Sequence, residues 1–468
     1  MTLQEAPLPL PEIAVAGVPG AELPGPELPG PELAGAELAG APGVAASAAV
    51  RFDFDVAVVG MGYVGLPTSL AFREAGYRVL GIDVSDQRLQ TIRDGRADLL
   101  EADRDRLDQA LVDPAFELTS DSRRLSSAAA VVIAVPTPVD HHLVPDLSIL
   151  RSACAGVVSR AVPGQLLVLT STSYVGSTRD LLVQPLKERG LYPGTDVHVA
   201  FSPERINPGV SDFSQEEVPR VVGGITAACG HRAESLLGKY VPRVHLVPTA
   251  EAAEMTKLLE NTFRAVNIAL ANEFADICGA LDISVMDVID AAATKPFGFM
   301  RFNPGPGVGG HCIPCDPHYL LWQLRSNRLH APVIEQAMQV IAARPRRVVD
   351  RTRKMLSDRK QGLFGARILV AGVAYKPDVE DVRESPALEI LAGLMDEGAT
   401  VAYTDPLIRQ IRSGDTVLDS VTDPAAFAPD LVIMHTGHTG FDLGWLSSVP
   451  AVLDTTYRLP AADNIQLL

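Results

Sequence analysis

Beginning at Phe54, short β-branched runs that are apolar on both faces alternate with longer stretches of helical periodicity. The runs FDVAVVG (54–60), YRVLGID (77–83), AAVVIAVP (129–136), QLLVLTS (165–171), DVHVAFS (196–202) and RVHLVP (243–248) predict six strands. Strands without a polar face belong to a parallel sheet covered by helices on each side, so the pattern predicts a doubly wound α/β domain over 51–248. From Ala250 the chain runs through AEAAEMTKLLENTFRAVNIALANEFADICGAL without a proline. At about 1.5 Å per residue this is a helix of roughly 45 Å, a length that links domains or forms a subunit interface. A second helical stretch over 331–360 precedes a fresh α/β pattern: ARILVAGVAY, a helix from Ser385, TVAYTDP, DLVIMHTG and PAVLDTTY. Boundaries are therefore expected near 248 and 345, giving a helical region over 249–345 and a second α/β domain over 346–468.

The first fifty residues do not share this pattern. They contain six Glu, nine Pro and seven Gly but no Lys, Arg or Asp, and residues 21–40 are four pentapeptide copies, AELPG, PELPG, PELAG and AELAG. Such a stretch cannot bury enough apolar surface to offset its ordering entropy, and it reads as a disordered tail. It lacks the basic n-region of a signal peptide. No window elsewhere reaches about 18 unbroken apolar residues, so no membrane-crossing helix is expected. Without the six tail glutamates the formal charge of −17 becomes −11. A body that acidic is a poor partner for nucleic acid or an anionic membrane, and local cations must serve any anionic ligand. The five cysteines are few, odd in number and mostly far apart, which argues against a secreted disulfide framework and for a cytosolic protein.

The first predicted strand runs into Gly60-Met61-Gly62-Tyr63-Val64-Gly65, and a helical stretch follows to Gly76. In a GxGxxG turn between strand and helix the glycines have separate tasks: a tight turn, close backbone approach to a pyrophosphate, and close packing of helix on strand. Asp83 ends the next strand, where a carboxylate accepts hydrogen bonds from both ribose hydroxyls and repels a 2′-phosphate, favouring NAD over NADP. Arg88 follows it as a further cofactor candidate. Pro136 and Thr137, in VPTP, end a later strand at the sheet edge where ligands collect, either as contacts or as a rigid turn. The second α/β unit has Gly372 but no GxGxxG, so it should not hold a dinucleotide in the same way. Lys376 and Arg383 beside it could still neutralise a diphosphate.

The densest chemical signal is NPGPGVGGHCIPCD over 303–316. Four glycines within six residues suit close approach of backbone to a ligand, with Gly309 and Gly310 nearest the first cysteine. Cys312 precedes a helical segment whose dipole and free N–H groups would stabilise a thiolate, which makes it a candidate nucleophile; the alternative is a small buried apolar residue. With Cys315 it forms C-x-x-C, so oxidation could join the two. No second Cys or His pair completes a zinc site, and no metal is expected. On the long helix Lys257 and Asn261 lie at i and i+4 and project from one face, able to hold an alkoxide or a water. Ser171-Thr172-Ser173 and Ser202-Pro203-Glu204-Arg205 end predicted strands. A nicotinamide site, a thiol, a lysine, a hydroxyl and a carboxylate together suit oxidation of an alcohol through a covalent stage.

In order, VVGMGYVGLP, AVPTP, STSYVGST, FSPERINPG, EMTKLLENTFRAVNIALANE, KPFGFMRFNPGPGVGGHCIPCDP and GVAYKPDVEDVRESPALEI resemble the UDP-glucose/GDP-mannose dehydrogenase family of nucleotide-sugar 6-dehydrogenases over Phe54 to Tyr457. The resemblance implies two Rossmann-like doubly wound domains joined by a long central helix and a helical dimerisation region, with NAD in the first domain and a nucleotide diphosphate sugar at the second. It implies a homodimer or higher homo-oligomer and oxidation of the sugar C6 hydroxymethyl to a carboxylate with two NAD. It makes Cys312 the nucleophile that captures the aldehyde, Lys257, Asn261 and Asp316 the groups around the alkoxide and water, and Glu204 with Thr172 the acid/base and its water. Arg205, Arg301, Gly309, Gly310 and Lys376 become substrate contacts, and Thr172 and Arg383 also cofactor contacts. KPFGFM and GGHCIP look more like the branch with UDP-N-acetylglucosamine 6-dehydrogenases, whereas the UDP-glucose branch commonly reads GGSC-F-P-K-D. Cys315, Arg301 and Val175 depart from the usual residues, which leaves the sugar and the base open among UDP-glucose, UDP-N-acetylhexosamine and TDP-glucose. A β-hydroxyacid dehydrogenase also pairs such a first domain with a Lys-x-x-x-Asn helix, but a single oxidation needs no thiol. A non-catalytic NAD-binding protein would have no use for Cys312, Lys257 and Glu204 together.

Overall fold

Eight strands form the first sheet: β1 (Phe54–Val59), β2 (Val79–Ile82), β3 (Phe116–Thr119), β4 (Ala128–Ile133), β5 (Leu166–Leu169), β6 (His198–Phe201), β7 (Arg220–Gly224) and β8 (Val244–Val247). Their order is 3-2-1-4-5-6-7-8, parallel throughout except between β6 and β7. The computed structural model describes residues 51–468 apart from Asp98, Leu100, His141, 206–216, His311 and Asp415, and without the side chains of Glu101 and Ala102. The repeat tail expected to be unstructured lies outside the described residues.

The sheet is apolar on both faces because helices cover both. Val56, Val58 and Val132 pack with Leu66 and Leu70 of the fingerprint helix (Gly65–Glu74). The alternate positions Ala57, Val131 and Leu167 pack with Leu150 and Val157 of the helix Ser148–Arg160. This period of two is what a doubly covered sheet requires. The six predicted strands are β1, β2, β4, β5, β6 and β8. β3 (FELT) is a four-residue edge strand with one buried residue, and β7 (RVVGG) has only two β-branched residues, so neither stands out in the pattern.

The central helix spans Ala250–Ala280, and its first turn is capped by the Thr249 hydroxyl, which accepts from the Ala252 N–H at 3.1 Å. Small residues line its inner face: Ala265 and Ala269 pack with Ile313 and Leu321 and with Met338 and Ile341 of the bridging helix (Pro332–Asp358). That helix continues through Pro345, at the expected domain boundary. The helix Asp316–Ser326 follows the cysteine loop.

The C-terminal region has β9 (Arg367–Ala371), β10 (Thr400–Thr404), β11 (Gln410–Ser413), β12 (Thr416–Asp419), β13 (Leu431–Met434), β14 (Val452–Asp454) and β15 (Ile465–Leu467). Five form a parallel sheet in the order 10-9-13-14-15, and β11 and β12 pair as a separate antiparallel hairpin. In both sheets chain order reverses at the first strand, between β1 and β4 and between β9 and β13, which opens a crevice at the carboxyl ends.

Candidate functional site

At the β1 end the three fingerprint glycines meet different surroundings. Gly60 has φ +94°, and a Cβ there would stand 2.4 Å from the Ala134 carbonyl oxygen. A Cβ on Gly65 would stand 1.8 Å from the Gly60 carbonyl oxygen, whereas one on Gly62 would meet nothing within 4 Å. The turn is thus built tightly from Gly60 and Gly65 and left open at Gly62. The Asp83 carboxylate accepts from the Met61 N–H at 2.8 Å and the Ser85 N–H at 2.9 Å, and Arg88 Nε donates to the Met61 carbonyl at 2.8 Å. No side chain caps the helix that begins after Val64, an arrangement that suits an anion at its N-terminus. Tyr63 lies under the Arg383 guanidinium, 4.9 Å from the ring centre. Pro136 and Thr137 follow Val135, whose N–H donates to the Ser171 hydroxyl at 2.9 Å, so the adjacent Thr172 joins the same rim.

The second cluster is organised by the central helix. Lys257 and Asn261 are buried, 8% and 3% exposed, and Asn261 donates a short hydrogen bond to the Asp316 carboxylate. The Lys257 ammonium makes no hydrogen bond among the described residues, but its charge acts on both Asp316 and Cys312. Burial pushes Asp316 up to about 6, against the pull of Lys257 and the Asn261 bond. The Cys312 carbonyl accepts from the N–H groups of Cys315, at 3.3 Å, and Asp316, at 2.9 Å, forming the turn that opens the following helix. Cys312 is exposed, while Cys315 is buried, and both are free. The local expectation of a stabilised thiolate needs correcting. Partial desolvation and the Asp316 carboxylate raise the Cys312 pKa, outweighing the opposing charges of Lys257, Arg264 and Arg383. Burial pushes Cys315 up to about 12.

Two further expectations change. The loop glycines make room mainly for protein: a Cβ on Gly309 would lie 2.6 Å from the Glu384 carbonyl oxygen, and one on Gly310 2.9 Å from the Tyr375 ring. Gly307 similarly faces Pro386, and only Gly305 of the four from 305 to 310 next to Pro304 and Pro306 opens on free space. Arg205 and Arg301 are engaged elsewhere. Arg205 pairs with Glu260 at 2.5 Å and donates to the Pro219 carbonyl at 2.8 Å, and Arg301 pairs with Asp290 and donates to Asn303 at 3.1 Å. Glu204 accepts from the buried Arg220 at 2.6 Å and from the Arg205 N–H at 2.7 Å, which fixes its carboxylate at the end of β6. Lys376 is half-buried, its pKa lowered by burial and by Arg264. Arg383 is held bidentately by Asp381, its Nη2 donating to Oδ2 at 2.6 Å and its Nε to Oδ1 at 2.9 Å.

Several contributors were not visible in advance. Arg264 continues the Lys257 and Asn261 face at i+7 and adds a cation near Cys312, a spacing that could have flagged it. Glu254, 1% exposed, accepts from the Gly176 and Thr178 N–H groups at 2.5 and 2.8 Å and from the hydroxyls of Ser177 and Thr178 at 2.9 and 2.7 Å. Those four donors offset the cost of burying a carboxylate and bind the segment after Thr172 to the central helix. Gln323 binds the same segment to the helix after the cysteine loop, exchanging hydrogen bonds of 2.9 and 2.7 Å with the Val175 backbone. A cavity of about 520 Å³ is lined by Val308, Pro314, Met338 and Ile341, and none of the candidate residues lines it.

Three consecutive stretches match domains of one family: the NAD-binding domain over 54–241, the central domain over 251–341 and the UDP-binding domain over 369–459. The chain belongs to the UDP-glucose/GDP-mannose dehydrogenase family. It is 35% identical over 369 residues to a UDP-N-acetyl-D-mannosamine dehydrogenase of Campylobacter jejuni, covering 76% of this chain and 87% of the relative. It is 33% identical over 408 residues to an NDP-N-acetyl-D-galactosaminuronic acid dehydrogenase of Ralstonia solanacearum, covering 84% and 93%. The solved structure of a UDP-D-ManNAc dehydrogenase from Pyrococcus horikoshii superposes with a TM-score of 0.81 at 30% identity, covering 88% and 98%. This family member is accordingly an NAD-dependent oxidoreductase of nucleotide sugars with Rossmann-like architecture. No helix among the described residues is long and apolar enough to cross a membrane.

Proposed function

We propose that the enzyme oxidises the C6 hydroxymethyl group of a UDP-linked 2-acetamido hexose to the uronate, in two oxidations joined by a covalent adduct on Cys312. The observation that carries this reading is the exposed Cys312 beside Lys257 and the Asn261–Asp316 pair. The open side of Gly62 and the Asp83 carboxylate fit a dinucleotide diphosphate and its ribose. NAD, when bound there, would accept a hydride from carbon in each oxidation, with the hydroxyl proton of each step leaving to water by way of the Asp316 carboxylate. The raised pKa keeps the Cys312 sulfur protonated at rest, so as it adds to the C6 aldehyde its proton passes to the new alkoxide oxygen. Lys257 and Asn261 hold that oxygen, and Asp316 stays within reach of the lysine charge. The thiohemiacetal cannot diffuse away between the oxidations, and the second leaves a thioester. Water then releases the carboxylate and restores the thiol, with Glu204 moving the proton and Thr172 holding the water.

The 2-acetamido sugar is favoured by KPFGFM and GGHCIP and by the substrates named for the relatives; UDP-glucose is the second reading. Lys376, Arg264 and Arg383 supply positive charge for the diphosphate in an otherwise acidic chain. Leu259, Phe263, Leu270 and Phe274 are between 45% and 64% exposed on the central helix and form the surface on which a second copy would dock. A cytosolic location follows from dependence on NAD and nucleotide sugars. NADH release should be followed with UDP-N-acetylmannosamine, UDP-N-acetylglucosamine, UDP-glucose, TDP-glucose and GDP-mannose. The expected result is two NADH per sugar with an acetamido substrate and no uronate from Cys312→Ala. One NADH per sugar, or full turnover by C312A, would overturn the covalent mechanism.

A further inference from the structure

Arg344, on the bridging helix, is 2% exposed and reaches three other parts of the chain. Its Nε donates to the Gly305 carbonyl at 2.9 Å, Nη1 to Asp276 of the central helix at 2.8 Å, and Nη2 to the Tyr457 hydroxyl at 3.1 Å. The Gly305 N–H donates to the Asn272 side chain at 2.9 Å, so both backbone polar groups of this glycine are fixed by the helical region. Tyr457 is fixed as firmly. It takes a left-handed φ of 58°, its N–H donates to Asp454 at 3.1 Å, and its hydroxyl donates to the Leu468 carbonyl at 2.7 Å. Its neighbours Thr456 and Arg458 line a cleft of about 150 Å³ that Asn303–Gly307 also line. Thr456 and Arg458 follow the carboxyl end of β14, within the stretch that matches a UDP-binding domain, whereas Asn303–Gly307 belong to the stretch that matches the central domain.

We propose that Arg344 is a positioning residue for the nucleotide sugar: it latches Gly305, on the cysteine-loop side of this cleft, to Tyr457, on the C-terminal side, and so sets the width of the cleft. The proposal rests on the reading above that a UDP-sugar is the substrate. A guanidinium suits this task because its donors sit in a rigid planar fork, so three bonds to three elements define the distances between them. An ammonium at the end of a flexible stem cannot hold the same three acceptors. Burial shields the arrangement from salt. Cys312 lies seven residues beyond Gly305 on the same loop, so a shift at Gly305 moves the bound nucleotide relative to the thiol.

Two variants separate this role from bulk stability. Tyr457→Phe removes one hydroxyl, and Arg344→Lys keeps the charge and leaves the Tyr457 to Leu468 bond in place. Titration with UDP, steady-state kinetics with both substrates and thermal unfolding are measured on full-length protein. In both variants the Kd for UDP and the KM for the nucleotide sugar should rise about tenfold, the worth of one hydrogen bond to a charged group, with the KM for NAD unchanged even though Y457F, which also loses the bond to Leu468, melts lower. Wild-type affinity for UDP in both variants would overturn the latch. Equal weakening toward UDP and NAD would overturn it in favour of a general strut. Wild-type protein that binds no UDP would instead overturn the substrate reading, and the latch with it.

Discussion

After β1 the turn leaves free space beside Gly62, whereas after β9 the corresponding positions are Val373 and Ala374, both fully buried. The two turns are otherwise close counterparts. Gly60 and Gly372 have φ of +94° and +77°, and a Cβ on either would strike a carbonyl on the segment after the neighbouring strand, Ala134 at 2.4 Å or Thr436 at 1.9 Å. Each turn is also tied to an aspartate after the adjacent strand. Asp83 accepts one turn N–H, from Met61, and remains at a half-open rim. Asp405 accepts from Val373, Leu407 and Ile408 at 2.7, 2.8 and 3.0 Å, and from His438 Nε2 at 3.2 Å, and is buried. The same strand-turn-helix plan therefore makes a ligand cradle in one domain and a packed corner in the other. The difference sits two residues beyond the first glycine, where one turn has Gly62 and the other the buried Ala374.

The largest expected effect tests that parallel. Gly372→Ala places a methyl group on a carbonyl in a left-handed conformation and should cost about 3 kcal/mol or more of stability, read as a lowered thermal midpoint. Gly62→Ala adds the same methyl group to open space and should change stability by less than about 0.5 kcal/mol. It should nevertheless raise the KM for NAD at least tenfold, because the methyl group enters the space left for the pyrophosphate. A stable Gly372→Ala, or unaltered NAD binding in Gly62→Ala, would break the comparison.

This contrast also marks what a sequence can disclose. Gly60 and Gly65 were legible because their backbone angles and contacts permit no other residue, and Lys257 with Asn261 because a helix fixes i and i+4 on one face. Strands β1, β2, β4 to β6 and β8 were legible because burial on both faces forces continuous apolar runs, whereas β3, β7 and β15 are too short or too polar to show it. Contacts made between positions far apart in the chain had no local signature. Arg220 with Glu204, Gln323 with Val175, and Arg344 with Gly305 and Tyr457 join residues between 16 and 148 positions apart. The direction of the Cys312 shift was missed for the same reason, since desolvation by packed neighbours and the Asp316 carboxylate outweigh the charges of Lys257, Arg264 and Arg383.

The two aspartates give the next contrast. Asp405→Ala leaves the Val373 N–H and His438 without their buried partner, and should cost about 3 kcal/mol with little change in NAD binding. Asp83→Ala should cost less than about 1 kcal/mol. Its effect belongs to the cofactor: the ratio of NADP to NAD use, measured as kcat/KM, should rise about tenfold once the carboxylate no longer repels a 2′-phosphate. Equal use of NADP by the wild type would remove that role from Asp83, and a large stability loss in Asp83→Ala would make the two turns alike.

The smallest effect lies in acid. Asp405 is held down to about 2: burial alone would raise it, but the His438 bond and the Val373 and Leu407 N–H groups outweigh that. His438 is oriented for this, since its Nδ1 accepts from the Asp378 N–H at 2.9 Å and its Nε2–H therefore faces Asp405. A carboxylate whose folded pKa lies below its unfolded value stabilises the fold fully above the unfolded pKa, near 4, and loses that contribution as pH falls through about 2. The stability difference between wild type and Asp405→Ala should therefore be constant above about pH 5 and shrink by at most about 2 kcal/mol toward pH 2. Chemical unfolding of both proteins across that range measures it. A difference that stays constant into acid would show that Asp405 works through packing rather than charge, and would bring the two turns closer together than their burial implies.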